Sequence, residues 1–216
     1  MLRDHTMTAV AFVLLSLTAV VAVFDWLAVV RNTRIAEYVL KPLVMVLFVG
    51  VAITIDPTSD AARVLLIIGL LFSMVGDICL MVPADLFVAG LSAFLVAHVF
   101  YVVALLSLGI TGVGFLIGIA LMAILGVLVG RRIVAGAAAA QKALAGPVAA
   151  YIAVISVMVA TAIGTGRFFA IAGAGLFAIS DSVLGWTKFL SDFSRSRLVV
   201  MVTYHLGQAG LVLALI

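Results

Sequence analysis

Two aspartates lie deep inside otherwise apolar segments of this 216-residue chain. Asp77 stands in the segment IIGLLFSMVGDICLM and Asp181 in the segment IAGAGLFAISDSVLGW. A carboxylate near the middle of a bilayer costs about 2.5–3.5 kcal/mol on insertion scales, so such residues are rare and usually serve a function. Two carboxylates in a medium of low dielectric constant can divide acid–base chemistry between them, because one keeps a proton while the other stays an anion.

Helical spacing around each aspartate places small and polar residues on the same face. Small residues let neighbouring helices approach closely, so we expect both carboxylates to point into a bundle of helices and not toward lipid. A purely structural carboxylate, paired with Lys41 or His98, is the alternative for each of them. The two faces hold Gly69, Ser73 and Gly76 beside Asp77, and Gly173, Phe177 and Ser180 beside Asp181.

Other polar residues within apolar stretches widen the candidate site. His98 and Tyr101 lie about one turn apart in one stretch, and Tyr204, His205 and Gln208 lie together in another. A histidine inside a membrane can join helices by a hydrogen bond or take part in function, and a tyrosine can be a core aromatic with a polar end. From residue type alone, both interpretations stay open.

Lys41 and Asp25 have simpler explanations. Lys41, which precedes Pro42, fits a lysine at a helix entrance that extends to the lipid head groups. The alternatives for Lys41 are a cation for a lipid phosphate and a partner for one aspartate. Asp25 and Trp26 fit an interfacial residue beside a tryptophan of the aromatic belt, so we expect both Lys41 and Asp25 near the membrane surface.

The elements that carry these residues are predicted to be membrane-spanning helices. Hydrophobic residues make up 67% of the chain and charged residues 10%, which is too apolar for a soluble domain of this length. The apolar runs are continuous and about twenty residues long, as in transmembrane helices. We predict an all-α, polytopic membrane bundle of about eight transmembrane helices in a single domain, residues 1–216, with segments at roughly 7–30, 39–56, 63–82, 85–107, 112–130, 146–165, 168–190 and 198–216.

Positive charge predicts the orientation of the bundle. Nine of the twelve lysines and arginines fall in or beside the first, third, fifth and seventh connections. Because cytoplasmic loops are enriched in lysine and arginine, we expect these connections in the cytoplasm and the candidate site in the cytoplasmic half of the cell (plasma or inner) membrane. The first segment lacks an Ala-x-Ala-like cleavage site, so we expect a retained helix and not a removed signal peptide.

Several classes of function are unexpected. The chain has no basic patch with interleaved aromatic residues, so no nucleic-acid partner is expected. It has three histidines, of which His5 lies outside the predicted bundle, and no His-Glu-x-x-His spacing. We therefore expect neither a metal nor a cofactor. The absence of a Gly-x-Ser-x-Gly motif argues against a serine lipase.

Three groups of residues follow one another in an order and spacing that is typical of a known family. They are Phe72-Ser73…Gly76-Asp77…Leu80-Met81, Gly90-Leu91…Phe94…Ala97-His98…Tyr101 and Phe177…Ser180-Asp181…Leu184…Lys188-Phe189, with Lys41-Pro42 before them. This pattern resembles the YhhN family of membrane lysoplasmalogenases, over about residues 41–208. One departure is Tyr204-His205, where the family usually has a pair of tyrosines before Gln208, and it leaves His205 without an assigned role.

The resemblance implies an ether hydrolase with a lysolipid substrate in the membrane. It would cleave the vinyl ether bond of lysoplasmenyl-ethanolamine or -choline to a fatty aldehyde and a glycerophospho-base. Such a reaction needs an acid that protonates the vinyl carbon and an anion that stabilises an oxocarbenium ion, as in glycosidases. Asp77 and Asp181 would be the catalytic pair, and which of them is the acid stays open.

By the same resemblance, the remaining polar residues would orient water or the head group, and Lys41 would meet the phosphate. Two other classes of function stay open: a small proton-coupled transporter, with the aspartates as a proton relay, and a metal-dependent lipid amidase. The segments of Asp77 and Asp181 contain no proline, which argues mildly against the broken helices of a carrier. The orienting residues would be His98, Tyr101, Ser180, Tyr204 and Gln208.

Overall fold

The computed structural model describes residues 6–84 and 86–216. Within these ranges the regular structure is helical throughout, which confirms the predicted all-α class. A π-helix at Gly126–Gly130 and a 3₁₀ helix at Lys142–Leu144 accompany the α-helices. The α-helices of these ranges are α1 Ala9–Val30, α2 Arg34–Thr54, α3 Asp60–Met81, α4 Phe87–Leu106, α5 Gly112–Leu125, α6 Arg131–Ala140, α7 Ala145–Thr165, α8 Phe168–Phe189 and α9 Ser196–Leu213.

Seven helical stretches of the described residues are long and apolar enough to cross a membrane, with Gly112–Ala140 counted as one stretch. The helix α9 is less apolar because it carries Tyr204, His205 and Gln208, all of them buried. With α9 included, the arrangement agrees with the prediction of about eight transmembrane helices. Large apolar side chains lie exposed around the outside of the bundle, as contact with lipid requires.

The helices pack around a polar centre. The most extensive pairs are α3 with α4, α8 with α9, and α1 with α2. The helix α7 contacts α4, α5 and α8, while α9 also contacts α1, α2 and α3. The α8–α9 pair is close because glycines meet: a Cβ added to Gly173 would lie 2.6 Å from the backbone nitrogen of Leu211. This closeness lets α9 turn its polar residues toward α2 and α3.

Two sets of connections form the two ends of the bundle. We call the end formed by the α1–α2, α3–α4, α6–α7 and α8–α9 connections the basic end, because most lysines and arginines lie there. At the opposite end, Arg167 donates to the carbonyls of Ala214 and Ile216 at 3.2 and 3.0 Å. The backbone N–H of Thr58 donates to the carbonyl of Leu215 at 2.7 Å, which joins the end of α9 to the α2–α3 connection.

Two predicted boundaries differ from the structure. The helix α2 begins at Arg34 and not near residue 39, so Lys41 lies inside the helix and not at its entrance. The predicted fifth segment ends at residue 130, whereas the helical stretch continues from Gly112 to Ala140, because α6 buries Ile133 and Ala137 against neighbouring helices. His5 and Asp85, the latter at the predicted start of the fourth segment, lie outside the described residues.

Candidate functional site

Asp77 lies where α2, α3 and α9 meet. Its side chain is 1% exposed, and Lys41 Nζ lies 2.7 Å from Oδ1. The Tyr204 hydroxyl donates to Oδ2 at 2.6 Å. Lys41 is 8% exposed, so the expectation of a lysine at the membrane surface is wrong, and the alternative of a partner for an aspartate is what the structure contains. We call Asp77, Lys41 and Tyr204 the Asp77 group.

Asp181 lies between α4, α7 and α8. The Tyr151 hydroxyl donates to its Oδ2 at 2.6 Å, and His98 Nε2 lies 3.8 Å from the same oxygen. The other ring nitrogen of His98, Nδ1, lies 2.6 Å from the Phe94 carbonyl oxygen. That contact requires a proton on Nδ1, so neutral His98 presents Nε2 as an acceptor toward Asp181. We call Asp181, Tyr151 and His98 the Asp181 group.

A third set of polar contacts joins the helices around these groups. The Tyr101 hydroxyl donates to Gln208 Oε1 at 2.9 Å, and the Ser73 hydroxyl, also at 2.9 Å, therefore donates to Tyr101. Ser180 donates to the carbonyl of Val200 at 3.0 Å and joins α8 to α9. Three residues that were predicted to orient a ligand therefore make hydrogen bonds to other parts of the protein: Tyr101, Gln208 and Ser180.

Aromatic rings pack against members of both groups. The ring of Phe177 lies 4.6 Å from that of His98 and 5.3 Å from that of Tyr204, edge to face in both cases. Phe94 packs against Phe177 and Tyr204 at 6.4 and 5.9 Å. His98 belongs to the Asp181 group and Tyr204 to the Asp77 group, so Phe177 packs against one member of each group.

The small residues on α3 make room for rings of α4. A Cβ added to Gly69 would lie 2.3 Å from Tyr101 Cε1, and one added to Gly76 would lie 2.5 Å from Phe94 Cδ2. These close approaches confirm that the face of Asp77 is turned into the bundle. The side chain of Asp181 is 9% exposed, so this second carboxylate also faces the protein interior, as predicted.

The helix α1 contributes two polar residues that the sequence placed at the membrane surface. Asp25 is 0% exposed, so the interfacial interpretation is wrong. Trp26 Nε1 donates to His205 Nδ1 at 3.0 Å, and the two rings stack with centroids 6.3 Å apart. The sequence signal for the burial of Asp25 was its helical spacing from Thr18 and Ala22. These three residues lie on one face of α1 and are all buried.

A groove of about 410 Å³ opens between α4, α5, the π-helix, α7 and α8. This volume lies within the range of roughly 300–1,000 Å³ that is typical of ligand pockets. The lining is apolar except for Tyr151, Ser156, Asp181 and Ser182. Asp181 therefore lines this groove, whereas Asp77, Lys41 and Tyr204 do not.

Sequence reasoning missed two parts of this groove. The π-helix contributes Gly126, Val129 and Gly130 to the wall, and single π-turns inside α-helices are frequent at functional sites. Tyr151 was not among the predicted site residues, although its hydroxyl donates to Asp181.

The fold and the site together define a class: a multi-pass α-helical membrane protein with two buried carboxylate groups, one of which lines an apolar groove. Comparison with known sequences gives the particular family. The YhhN family model matches residues 36–215, and the chain belongs to this family. No solved structure matches the chain.

Proteins similar to this chain include lysoplasmalogenase TMEM86B from three mammals. The Homo sapiens protein is 33% identical over 148 residues, which cover 64% of this chain and 58% of that protein. The Sus scrofa and Mus musculus proteins are 34% identical over 139 and 145 residues, covering 64% and 67% of this chain and 58% and 60% of those proteins. The chain thus spans about six-tenths of the length of these relatives.

Proposed function

We propose that this protein is a membrane hydrolase of the lysoplasmalogenase type, which cleaves the vinyl ether bond of lysoplasmenyl-ethanolamine or -choline to a fatty aldehyde and a glycerophospho-base. Membership of the YhhN family and the similarity to mammalian lysoplasmalogenases support this proposal. The observation that carries it is the carboxylate of Asp181 in the wall of an apolar groove, because a hydrocarbon chain and an acid–base group can meet there.

The groove extends along α8 on both sides of Asp181. Along α8, Asp181 lies about 12 Å from Phe189 at the basic end of the groove and about 9 Å from Gly175 at its other end. The hydrocarbon chain would extend toward Gly175 and the head group toward the basic end. Cytoplasmic loops are enriched in positive charge, so we infer that the head group would lie toward the cytoplasm and the reacting bond in the cytoplasmic half of the membrane.

Asp181 would act as the general acid. It transfers its proton to the vinyl carbon β to the ether oxygen, which forms a C–H bond and leaves an oxocarbenium ion at the neighbouring carbon. Water attacks that carbon and gives a proton back to the Asp181 carboxylate. The hemiacetal then breaks its bond to the glycerol oxygen, which takes up the hydroxyl proton, and the aldehyde is released.

The partners of Asp181 suit this role. The Tyr151 hydroxyl holds one carboxyl oxygen in place at 2.6 Å and lines the groove itself. His98 Nε2, an acceptor 3.8 Å from the same oxygen, can accept a hydrogen bond from the attacking water or from the protonated acid. His98 is therefore proposed to orient the water.

Asp77 would act through its charge. Lys41 and Tyr204 hold it at 2.7 and 2.6 Å, and it does not line the groove. A fixed anion in a medium of low dielectric constant stabilises positive charge that develops nearby. In this account Lys41 is the counter-ion of Asp77 and not the ligand of a lipid phosphate.

Aldehyde release tests the proposed function. Purified protein in detergent is given lysoplasmenylethanolamine, lysoplasmenylcholine or the matching ester lysolipid, with and without EDTA. We expect aldehyde from the vinyl ethers alone, unaffected by the chelator. Loss of activity with EDTA would favour a metal-dependent hydrolase, and no aldehyde from either head group would refute the proposal and make transport into proteoliposomes the next assay.

A further inference from the structure

Six buried side-chain atoms have no hydrogen-bond partner within residues 6–84 and 86–216. Buried polar atoms in folded proteins are nearly always paired with protein or with ordered water, so each of these atoms needs an explanation. They belong to residues of α1, α2, α4 and α9: Asp25 Oδ1 and Oδ2, Glu37 Oε1, His98 Nε2, His205 Nε2 and Gln208 Nε2.

The outer members of this set lie near the basic end. Glu37 is on the first turn of α2, and Lys41 follows one turn later on the same face. Asp25 faces them from α1, and the charges that act on it through space are those of Lys41, Glu37, Asp77 and Arg197. Unpartnered carboxylate oxygens therefore lead from the surface to the Asp77 group.

The inner members continue from the Asp77 group to the Asp181 group. The ring of His205 lies 5.5 Å from that of Tyr204, and Gln208 follows Tyr204 by one turn of α9. Gln208 accepts a hydrogen bond from Tyr101, whose ring lies 6.0 Å from that of His98. All six unpartnered atoms thus follow one series that ends at His98 Nε2.

The chemistry of the series selects its occupant. His205 Nδ1 accepts from Trp26, so neutral His205 carries its proton on Nε2 and offers a donor, as does Gln208 Nε2. Asp25 and Glu37 offer acceptors. A cation along the series would be repelled by the N–H donors and Lys41, and an anion would be repelled by the carboxylates. Water can pair with every one of these groups because it both donates and accepts hydrogen bonds. In the part of the chain that the structure describes, no group of three or more His, Cys, Asp or Glu side chains could hold a metal ion.

The series begins under a surface basin. An open cavity of about 740 Å³ at the α1–α2 and α8–α9 connections is lined by Asn32, Asp192, Arg195 and Arg197, among others. Arg197 Nη2 donates to Glu37 Oε2 at 2.6 Å, and its Nη1 donates to Asn32 Oδ1 at 3.2 Å. The side chain of Arg197 is 45% exposed and that of Glu37 is 6% exposed, so this ion pair joins the basin to the interior.

We propose that these atoms line a chain of bound water molecules that leads from the basin, past Asp25 and the Asp77 group, to the gap between His98 and Asp181. The lipid groove is almost wholly apolar, so lipid and water would reach Asp181 by separate routes. That the chain supplies the water consumed in catalysis rests on the proposed function. The existence of the chain does not.

A small neutral oxidant can trace the route without any turnover. In a Cys79→Ala background, Met45→Cys places a thiol beside Tyr204, whose hydroxyl oxygen lies 3.3 Å from the Met45 sulfur in the native protein. Val51→Cys places one at an equally buried position further along the same helix, because Met45 and Val51 are both 0% exposed. Hydrogen peroxide, which resembles water in size and hydrogen bonding, is added to the folded protein, and thiol oxidation is followed by mass spectrometry.

We expect the thiol of Met45→Cys to oxidise faster than that of Val51→Cys. Adding Asp25→Leu should slow oxidation at Met45→Cys to the Val51→Cys rate, because a leucine removes both acceptors. Thr18→Val is the matched control on α1, since Thr18 is 1% exposed and its hydroxyl binds the Leu14 carbonyl at 2.7 Å, and it should leave the rate unchanged. Equal rates at the two cysteines, or a rate indifferent to Asp25→Leu, would overturn the water chain.

Measurements of turnover provide a second test of the proposal. For the vinyl ether substrate, Asp25→Leu should lower kcat and leave KM unchanged, whereas Asp25→Asn should keep most of kcat because its amide still binds water. If Asp25→Leu kept full kcat although it slowed thiol oxidation, the claim that the chain supplies the water consumed in catalysis would be refuted. If the unmodified protein releases no aldehyde, the proposed function fails, and the oxidation rates still decide whether the chain exists.

Discussion

Removing Lys41 from its buried ion pair with Asp77 should lower the stability of the protein by a large amount, and removing both charges together should restore most of it. Replacing Lys41 by methionine keeps the length and apolar stem of the side chain but leaves the Asp77 charge without its counter-ion. The side chains of the pair are 10% and 1% exposed and lie 2.7 Å apart, so it is a buried pair and not a surface one. Breaking a buried pair by removing one partner costs about 3–5 kcal/mol.

The remaining partner of Asp77 and the double variant refine this magnitude. The Tyr204 hydroxyl still donates to Asp77 at 2.6 Å, so we expect Lys41→Met near the lower bound, about 3 kcal/mol. The double variant Lys41→Met/Asp77→Asn carries neither charge and keeps an acceptor for Tyr204. It should lie within about 1 kcal/mol of the unmodified protein, because removing both members of a buried pair is often nearly neutral.

Unfolding in mixed dodecylmaltoside and SDS micelles, followed by the fluorescence of the two tryptophans, measures both variants. Asp77→Asn alone completes the double-mutant cycle and gives the coupling between the two residues. A Lys41→Met variant as stable as the unmodified protein would refute the assignment of Lys41 as the counter-ion. A double variant as unstable as Lys41→Met alone would show that the loss comes from packing and not from charge.

Two further predictions concern the groove and its acid. Asp181→Asn should lower kcat for aldehyde release by about 10²–10⁴-fold while lysolipid binding persists, and Asp77→Asn should lower it less, because only Asp181 lines the groove. Equal losses in the two variants would contradict the division of roles. Gly175→Leu should raise KM, since Gly175 lines the groove and a Cβ there meets nothing within 4 Å, so the new side chain fills space that the lipid would occupy. Gly146→Leu, at a glycine that is equally open and lies outside the groove, should leave KM unchanged.

The sequence predicts the helices and the inward direction of the aspartates, because both follow from local composition and helical spacing. Gly69 and Gly76 beside Asp77 already indicate a close helix–helix contact, and the structure fills that contact with the rings of Tyr101 and Phe94. The membrane class follows equally directly from the apolar segments, and the family resemblance is confirmed by the match over residues 36–215.

The partners of each aspartate could not be predicted in the same way. Whether Lys41 reaches head groups or Asp77 depends on where α2 begins, and that helix starts several residues earlier than its apolar run. The burial of Asp25 depends on how α1 packs beside α2 and α9, which a single amphipathic stripe does not determine. The groove is built from several separate segments and a π-helix. That Asp181 lines the groove and Asp77 does not is therefore a property of the tertiary structure.

The most direct test of the central claim is to follow the proton that Asp181 is proposed to deliver. Purified protein is allowed to turn over lysoplasmenylethanolamine in D₂O, and the aldehyde is trapped at once and analysed by mass spectrometry. Protonation of the vinyl carbon predicts one deuterium on the carbon next to the aldehyde group, with slower turnover than in H₂O. Release of an aldehyde without deuterium at that carbon would contradict the mechanism, because the vinyl carbon would then not have received a proton from an acid in exchange with water.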